Sequence, residues 1–335
     1  MLQIYEKGQP GYEDTLAALS RRGDEDLARV EPDVRAILEA VQERGDEAVL
    51  EYTERFDGRR PEALVLSRDG WLEQARDLDA EVRRALTEAG DRIRRYHEHQ
   101  RESGFRYEEG GIELGQRVLP VSAAAVYAPG GKARYPSTVL MTAIPATVAG
   151  VQRIVLVTPN PTPEILAAAE VAGVTEVVDA GGAQAIAAVS YGTESIARVD
   201  KVVGPGNIYV ACAKRLVFGV VDIDSIAGPS EALVVADDGA DPEIVAADLL
   251  TQAEHDEAAY PLLVTISRAQ ADAVDRALAR QLDALPRKAI AGEAIRTNGE
   301  CFVAGDRAEA ARAATLVAVE HVSLSVAEPD AVLAN

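Results

Sequence analysis

Residues 153–192 read RIVLVTPNPTPEILAAAEVAGVTEVVDAGGAQAIAAVSYG, and this stretch decides the fold. RIVLVTP is a short apolar run, the pattern of a strand buried on both faces. Thr162 and Pro163 then open a helix, because threonine is a favoured N-cap and proline at the first helical position loses no hydrogen bond. EVVDA is the next strand and GGAQAIAAVSYG the next helix. Strand and helix in strict alternation describe βαβ units, and such units build a parallel sheet.

The alternation extends both ways. Upstream, VSAAAVYA ends in PGG, and PSTVLMTAIPATVAG is a helix that tolerates Pro145. Downstream, KVVGPG leads into NIYVACAKRLVFG. From Ser230 a second series follows: the strand EALVVAD, a helix from Asp241–Pro242 to about His255, and the strand PLLVTIS. Ser267 and Gln270 form a capping box for the next helix. CFVAGD, another helix and HVSLSV come next, and AEPDAVLAN reads as the opening of a helix that the chain does not complete. Before Arg117 the texture is helical and charged. Val34, Ile37, Val41, Val49 and Leu50 share one side of a helix over Val30–Tyr52. Val82, Leu86, Ala89, Ile93 and Tyr96 form an apolar stripe over residues 72–100. Residues 1–25 read as a loosely attached arm or short helix. The expected fold is therefore α/β: two Rossmann-like parallel-sheet domains, one inserted in the other, with a helical N-terminal arm. The expected division is an arm at 1–25, a discontinuous domain at 26–126 plus 230–335, and an inserted domain at 127–229.

Composition excludes several classes of function. The chain has 335 residues, 47 % hydrophobic and 27 % charged, which is the profile of a folded globular protein. Its net charge is −21. Nucleic acid and anionic membrane surfaces are disfavoured partners, since both require a basic face. No apolar run approaches the ~20 residues that span a bilayer. The first residues lack the apolar core of a secretory signal. Two cysteines, Cys212 and Cys301, exclude a disulfide framework and point to a reducing cytoplasm. Only five basic residues are lysine. Codon bias of a GC-rich genome and adaptation to a high-salt cytoplasm both account for this acidic, arginine-rich balance.

Three glycine-bearing turns stand where strands end: Ala128 to Gly131, Ala180 to Gln184 and Gly204 to Asn207. Glycine there lets backbone approach a ligand, and the following helix N-terminus favours an anion. Singly each is a tight βα turn; three in one domain suggest a nucleotide-sized cleft. In TQAEHD, Gln252 and His255 share a helix face as the best metal candidate, although such a pair is more often a surface or capping pair. Glu320 and His321 in VEHV are a candidate acid–base pair, which neighbours on a strand can form only at its end. His97 and His99 diverge on a helix and read as solvated. Cys212 and Cys301 lie in apolar segments and read as core. No G-x-S-x-G elbow or P-loop occurs.

Together these strings resemble one family. VYAPGGKARYPSTVLMTAIPATVAGV, GGAQAIAAVSYGTESIARVDKVVGPGNIYVACAKR, DIDSIAGPSEALVVAD, LLTQAEHD and VEHV occur in the order seen in histidinol dehydrogenases, and GDEAVLEYTERFDG is similar to that family too. The resemblance implies a zinc-dependent enzyme that oxidises L-histidinol to L-histidine with two NAD in succession, the last step of histidine biosynthesis. It implies NAD contacts at Tyr127, Gln184 and Asn207, a substrate contact at Ser230, zinc and substrate contacts at Gln252 and His255, and a catalytic pair at Glu320 and His321. His321 also faces the substrate in that reading. It further implies a homodimer. Val319 departs from the family's usual proline, and the resemblance places the family's remaining zinc ligands, an Asp and a His, and a substrate-binding Glu beyond residue 335. A related NAD-dependent dehydrogenase of another alcohol, or a remnant that keeps the fold without activity, is the alternative.

Overall fold

The computed structural model describes residues 1–21, 24–130, 135–226 and 230–334. The chain begins with β1 (Gln3–Glu6), α1 (Tyr12–Leu19), α2 (Asp24–Arg44), α3 (Asp46–Asp57), α4 (Arg68–Arg76) and α5 (Ala80–Glu98). A hairpin follows, β2 (Phe105–Glu109) and β3 (Ile112–Gln116). Next come β4 (Ala123–Tyr127), α6 (Pro136–Ala149), β5 (Arg153–Val157), α7 (Pro163–Ala172) and β6 (Glu176–Val178). They continue into α8 (Gly182–Tyr191), β7 (Lys201–Val203), α9 (Ile208–Val217) and β8 (Asp222–Ile223). The last part holds β9 (Glu231–Ala236), α10 (Pro242–Ala253), β10 (Tyr260–Thr265), α11 (Arg268–Ala284) and α12 (Lys288–Asn298). It closes with β11 (Glu300–Val303), α13 (Arg307–Val317), β12 (His321–Ser325) and α14 (Pro329–Leu333).

The chain forms two compact units: unit 1 is Met1–Glu25 with Gly228–Asn335, and unit 2 is Asp26–Ala227. Unit 2 contains a five-stranded parallel sheet ordered β6-β5-β4-β7-β8. Unit 1 contains another, ordered β1-β11-β10-β9-β12. Counted from β4 and from β9, each runs third-second-first-fourth, the order of a Rossmann half-sheet. Successive residues alternate between faces. Val155 and Val157 of β5 enter one core with α2, α3, α8 and α9, while Ile154 and Leu156 enter another with α4 to α7. In unit 1, Leu263 packs with α10 to α12, and Leu262 and Val264 with α1 and α13.

The expected domain boundary at residue 127 is displaced, because residues 26–126 belong with 127–227. Packing explains it. Val34, Ile37, Val41 and Val49 join the core of Val155, Ile186 and Val202, and Trp71, Ala75 and Leu86 that of Leu140, Ile154 and Leu166. An apolar stripe announces that a helix buries a face; it does not name the sheet that receives it. The N-terminal segment is not loosely attached either. β1 pairs with β11, the Leu2 amide donates to Asp275 at 2.7 Å, and Leu2, Tyr12 and Leu16 are buried.

Both long helical patterns are interrupted. Gly45 takes φ 54°, and the Asp46 amide that starts α3 donates to the Glu194 carboxylate at 2.8 Å. Asp79 restarts the chain as the cap of α5, accepting from the Glu81 amide at 2.7 Å. Val82 and Tyr96 at the ends of the stripe are exposed. The capping box at Ser267 is half made: Ser267 Oγ accepts from the Gln270 amide, but the Gln270 side chain donates to the Ala240 carbonyl instead. Cys212 and Cys301 are buried as expected, and burial pushes the Cys301 thiol up to about 12.

Candidate functional site

In unit 2 the glycine-bearing turns leave the carboxyl edge of the sheet, after β4, β6 and β7. Gly131 falls outside the described residues. Backbone runs close at each turn. A Cβ on Gly130 or Gly181 would meet the Pro159 ring at 2.5 and 2.8 Å. Gly204 adopts φ +114°, and a Cβ there would strike the Tyr127 carbonyl oxygen. Only glycine serves at such a position.

Tyr127 ends β4 and is buried, its hydroxyl oxygen accepting from the Gly182 amide at 3.1 Å. Burial pushes this hydroxyl up to about 12, against the opposing Gly182 bond, so it stays neutral. Gln184 lies in the first turn of α8, 1 % exposed, and its Oε1 has no hydrogen-bond partner among the described residues. A buried acceptor left unmet costs about 1–3 kcal/mol, so this oxygen awaits a donor. Asn207 is exposed and caps α9, accepting from the Tyr209 and Val210 amides at 3.1 and 3.2 Å. These residues sit around the point where the strand order reverses between β4 and β7, where open parallel sheets bind ligands.

Two ion pairs also stand at this edge. Arg59 grips Asp179 with bonds of 2.7 and 2.5 Å, and Asp179 also accepts from the Asn160 amide at 2.6 Å. Nothing in the sequence marks Arg59. The other pair joins Lys214 to Asp224. Here a signal existed, one of five lysines in an arginine-rich chain standing inside the apolar run IYVACAKRLV.

In unit 1 the candidates stand at the opposite end of the strands. Ser230 precedes β9, and Glu320 and His321 open β12, so all three lie at the amino edge. The Glu320 and His321 side chains come together there, with Oε1 and Nε2 at 3.5 Å and both exposed. The Glu231 amide donates to Glu320 Oε1 at 3.4 Å. Just before the pair, Ala318 takes the left-handed conformation at φ 49° and the half-buried Val319 packs against the core, so the turn is set without a proline. Gln252 is buried near the end of α10, and His255 is exposed just beyond it, its amide donating to the Gln252 carbonyl at 3.1 Å. α10 ends at the amino edge, where β10 begins. Of the remaining histidines, His99 is exposed and His97 contacts Gln100 at 2.6 Å.

The carboxyl edge of unit 1 is closed by its own chain. Asp237 accepts from the Gly239 and Ala327 amides at 2.9 and 2.8 Å, and the cavity beside it measures ≈ 20 Å³, room for about one water. Among the described residues no group of three or more His, Cys, Asp or Glu is arranged to hold a metal. Gln252 and His255 offer two neutral donors, short of the three or four that bind zinc tightly. These two residues alone therefore do not fit a tightly held zinc, whereas the turns, the orphaned Gln184 oxygen and the α9 N-terminus fit a nucleotide cofactor. No helix among the described residues is long and apolar enough to cross a membrane.

Comparison with known proteins adds an independent line. The family model for histidinol dehydrogenase matches residues 20–335. The histidinol dehydrogenase of Aquifex aeolicus is 49 % identical over 322 residues, covering 96 % of this chain and 76 % of that one. That of Cereibacter sphaeroides is 48 % identical, covering 100 % of this chain and 79 % of the relative. The crystal structure of histidinol dehydrogenase from Elizabethkingia anophelis superposes with a TM-score of 0.89 at 33 % identity, covering 98 % of this chain and 77 % of that one. A match of this length, at nearly half of all positions and on the same fold, makes this chain a member of the histidinol dehydrogenase family.

Proposed function

We propose that this chain oxidises L-histidinol to L-histidine using two NAD in succession, with zinc assisting at the substrate. The observation that carries the reading is the exposed Glu320–His321 pair, held 3.5 Å apart at a strand end. His321 takes the proton of the primary alcohol as hydride leaves its carbon. Glu320 draws a proton from water, which adds to the resulting aldehyde. His321, after releasing its first proton to solvent, takes a proton from the hydrate as the second hydride leaves, giving the carboxylate. Each oxidation thus removes one hydride and one proton, four electrons in all.

NAD, when bound, supplies the hydride acceptor. Tyr127 and Gln184 present a neutral hydroxyl and an unmet carboxamide oxygen to it, and Asn207 aligns the α9 N-terminus, whose partial positive charge favours a phosphate. Ser230 is the proposed substrate contact in unit 1. Gln252 and His255 are the proposed zinc and substrate contacts, and no step is routed through the metal on two donors. A homodimer in the cytoplasm is the proposed setting.

His321→Asn tests the reading. With excess zinc and NAD, histidinol-dependent NADH formation should fall by about 10²–10⁴-fold, the usual worth of a general base, while NADH binding is unchanged. Turnover close to that of the parent chain would overturn it.

A further inference from the structure

We propose that Lys214 and Asp224 are positioning residues for the cofactor: they hold both backbone groups of Gly204 and so fix the turn that carries Asn207 beside Tyr127. The inference rests on reading Tyr127, Gln184 and Asn207 as NAD contacts. Lys214 lies on α9 with its side chain 2 % exposed. Its Nζ donates to the Gly204 carbonyl at 2.8 Å and pairs with Asp224 Oδ1. The other Asp224 oxygen accepts from the Gly204 amide at 2.7 Å.

The arrangement closes a ring. β7 leads to Gly204, Gly204 to the Asn207 cap, and α9 carries Lys214 back to Gly204 two turns later. Gly-Pro-Gly is otherwise a segment of wide backbone freedom, since glycine visits both signs of φ. Gly204 sits at φ +114° against the Tyr127 backbone, so fixing it sets the spacing of the two contacts.

A buried ammonium is costly, and an apolar side chain of similar length would fill the helix face as well. Arginine, which this chain uses almost everywhere else, would bring five donors in a rigid fork to a site with one carbonyl and one carboxylate oxygen. Lysine fits both acceptors, and both act on one turn.

The test compares Lys214→Met, the double variant Lys214→Met/Asp224→Asn, and Asn207→Ala in the full chain. The double variant leaves no unpaired buried charge and keeps an acceptor for the Gly204 amide. NADH affinity is read by its fluorescence, amide exchange by mass spectrometry of the peptide spanning 201–210, and folding by thermal melting. Both lysine variants should weaken NADH by about tenfold and speed exchange in that peptide alone, as loss of a charged hydrogen bond would. Asn207→Ala should weaken NADH without the change in exchange upstream of residue 207. Parent-like NADH binding in both lysine variants, with Asn207→Ala impaired, would overturn the clamp and leave the cofactor site standing. Parent-like binding in all three would sink the cofactor reading and the clamp with it. Failure of both lysine variants to fold would make Lys214 a stability residue and also overturn the proposal.

Discussion

The two sheets share a strand order and differ in the edge at which the candidate residues stand. Unit 2 places Tyr127, Gln184 and Asn207 at its carboxyl edge, where glycine turns let backbone come close. Unit 1 places Ser230, Gln252, His255, Glu320 and His321 at its amino edge, and closes its carboxyl edge with the Asp237–Ala327 bond. Topology alone predicts the carboxyl edge for both. What separates them is how closely backbone packs at the turns: a Cβ on Gly130, Gly181 or Gly204 would strike neighbouring atoms within 3 Å, whereas one on Gly239 or Gly305 would meet nothing nearer than 3.2 Å.

Adding one methyl group to each edge exposes the contrast most strongly. Gly204→Ala in unit 2 forces a Cβ against the Tyr127 carbonyl at φ +114°. The combined strain and overpacking should cost about 4 kcal/mol, with NADH binding lost. Gly239→Ala in unit 1 meets only Asp237 Oδ1 at 3.2 Å, at a φ open to any residue, and should cost about 1 kcal/mol or less. Equal, small losses of melting temperature in the two variants would mean that the unit 2 turn is not tightly packed after all.

Metal and cofactor should also separate the units. Dialysis against a chelator should strip zinc from the chain, because Gln252 and His255 contribute two uncharged donors and among the described residues no group of three or more His, Cys, Asp or Glu is arranged to hold a metal. NADH binding in unit 2 should survive the same treatment. Stoichiometric zinc retained after dialysis would show that other side chains complete the site.

Much of this architecture was legible in the sequence, and the exceptions are instructive. From VSAAAVYA onward each apolar run became a strand and each capped segment a helix, because strands buried on both faces and Thr-Pro or Asp-Pro starts are local signals. β1 was not legible: QIYE has four residues, two of them polar, and becomes a strand only by pairing with β11. The packing of α2 to α5 onto unit 2 depends on contacts far away in sequence, and no local pattern encodes it. Gly45 was visible as a glycine, but Glu194, which caps the helix after it, lies 148 residues from Asp46. For the site, Glu320 and His321 were legible as neighbours at a strand end. Arg59 and Asp179, 120 residues apart, were not.

Salt should act unevenly. Unit 1 carries a net charge of −13 and the larger unit 2 only −8, so self-repulsion is denser in unit 1. The single tryptophan, Trp71, lies buried in unit 2 and reports its unfolding, whereas far-UV circular dichroism reports both units. In dilute buffer the dichroism transition should begin below the Trp71 transition. Molar KCl, with a Debye length of about 3 Å, should raise it by roughly 5 °C and bring the two together. Transitions that coincide at every salt concentration would return the acidic composition to codon bias.

Glu300 provides the finest distinction. It opens β11 at the amino edge of unit 1, its Oε2 is buried without a partner among the described residues, and burial pushes its carboxyl up to about 7. The folded state then holds this proton more tightly than the unfolded chain, whose carboxyl titrates near about 4.3. Stability is therefore present below about pH 4.3, falls as pH rises through 7, and stays reduced above it. Glu300→Gln removes the titrating group while keeping its size. At pH 8 it should stabilise unit 1 by about 1 kcal/mol, allowing for the group's partial exposure to solvent, and at pH 4 it should change little. The dichroism midpoint should move and the Trp71 midpoint should not. A variant less stable than the parent at pH 8 would mean instead that the Glu300 carboxylate is used as an anion at the amino edge, between β1 and β10.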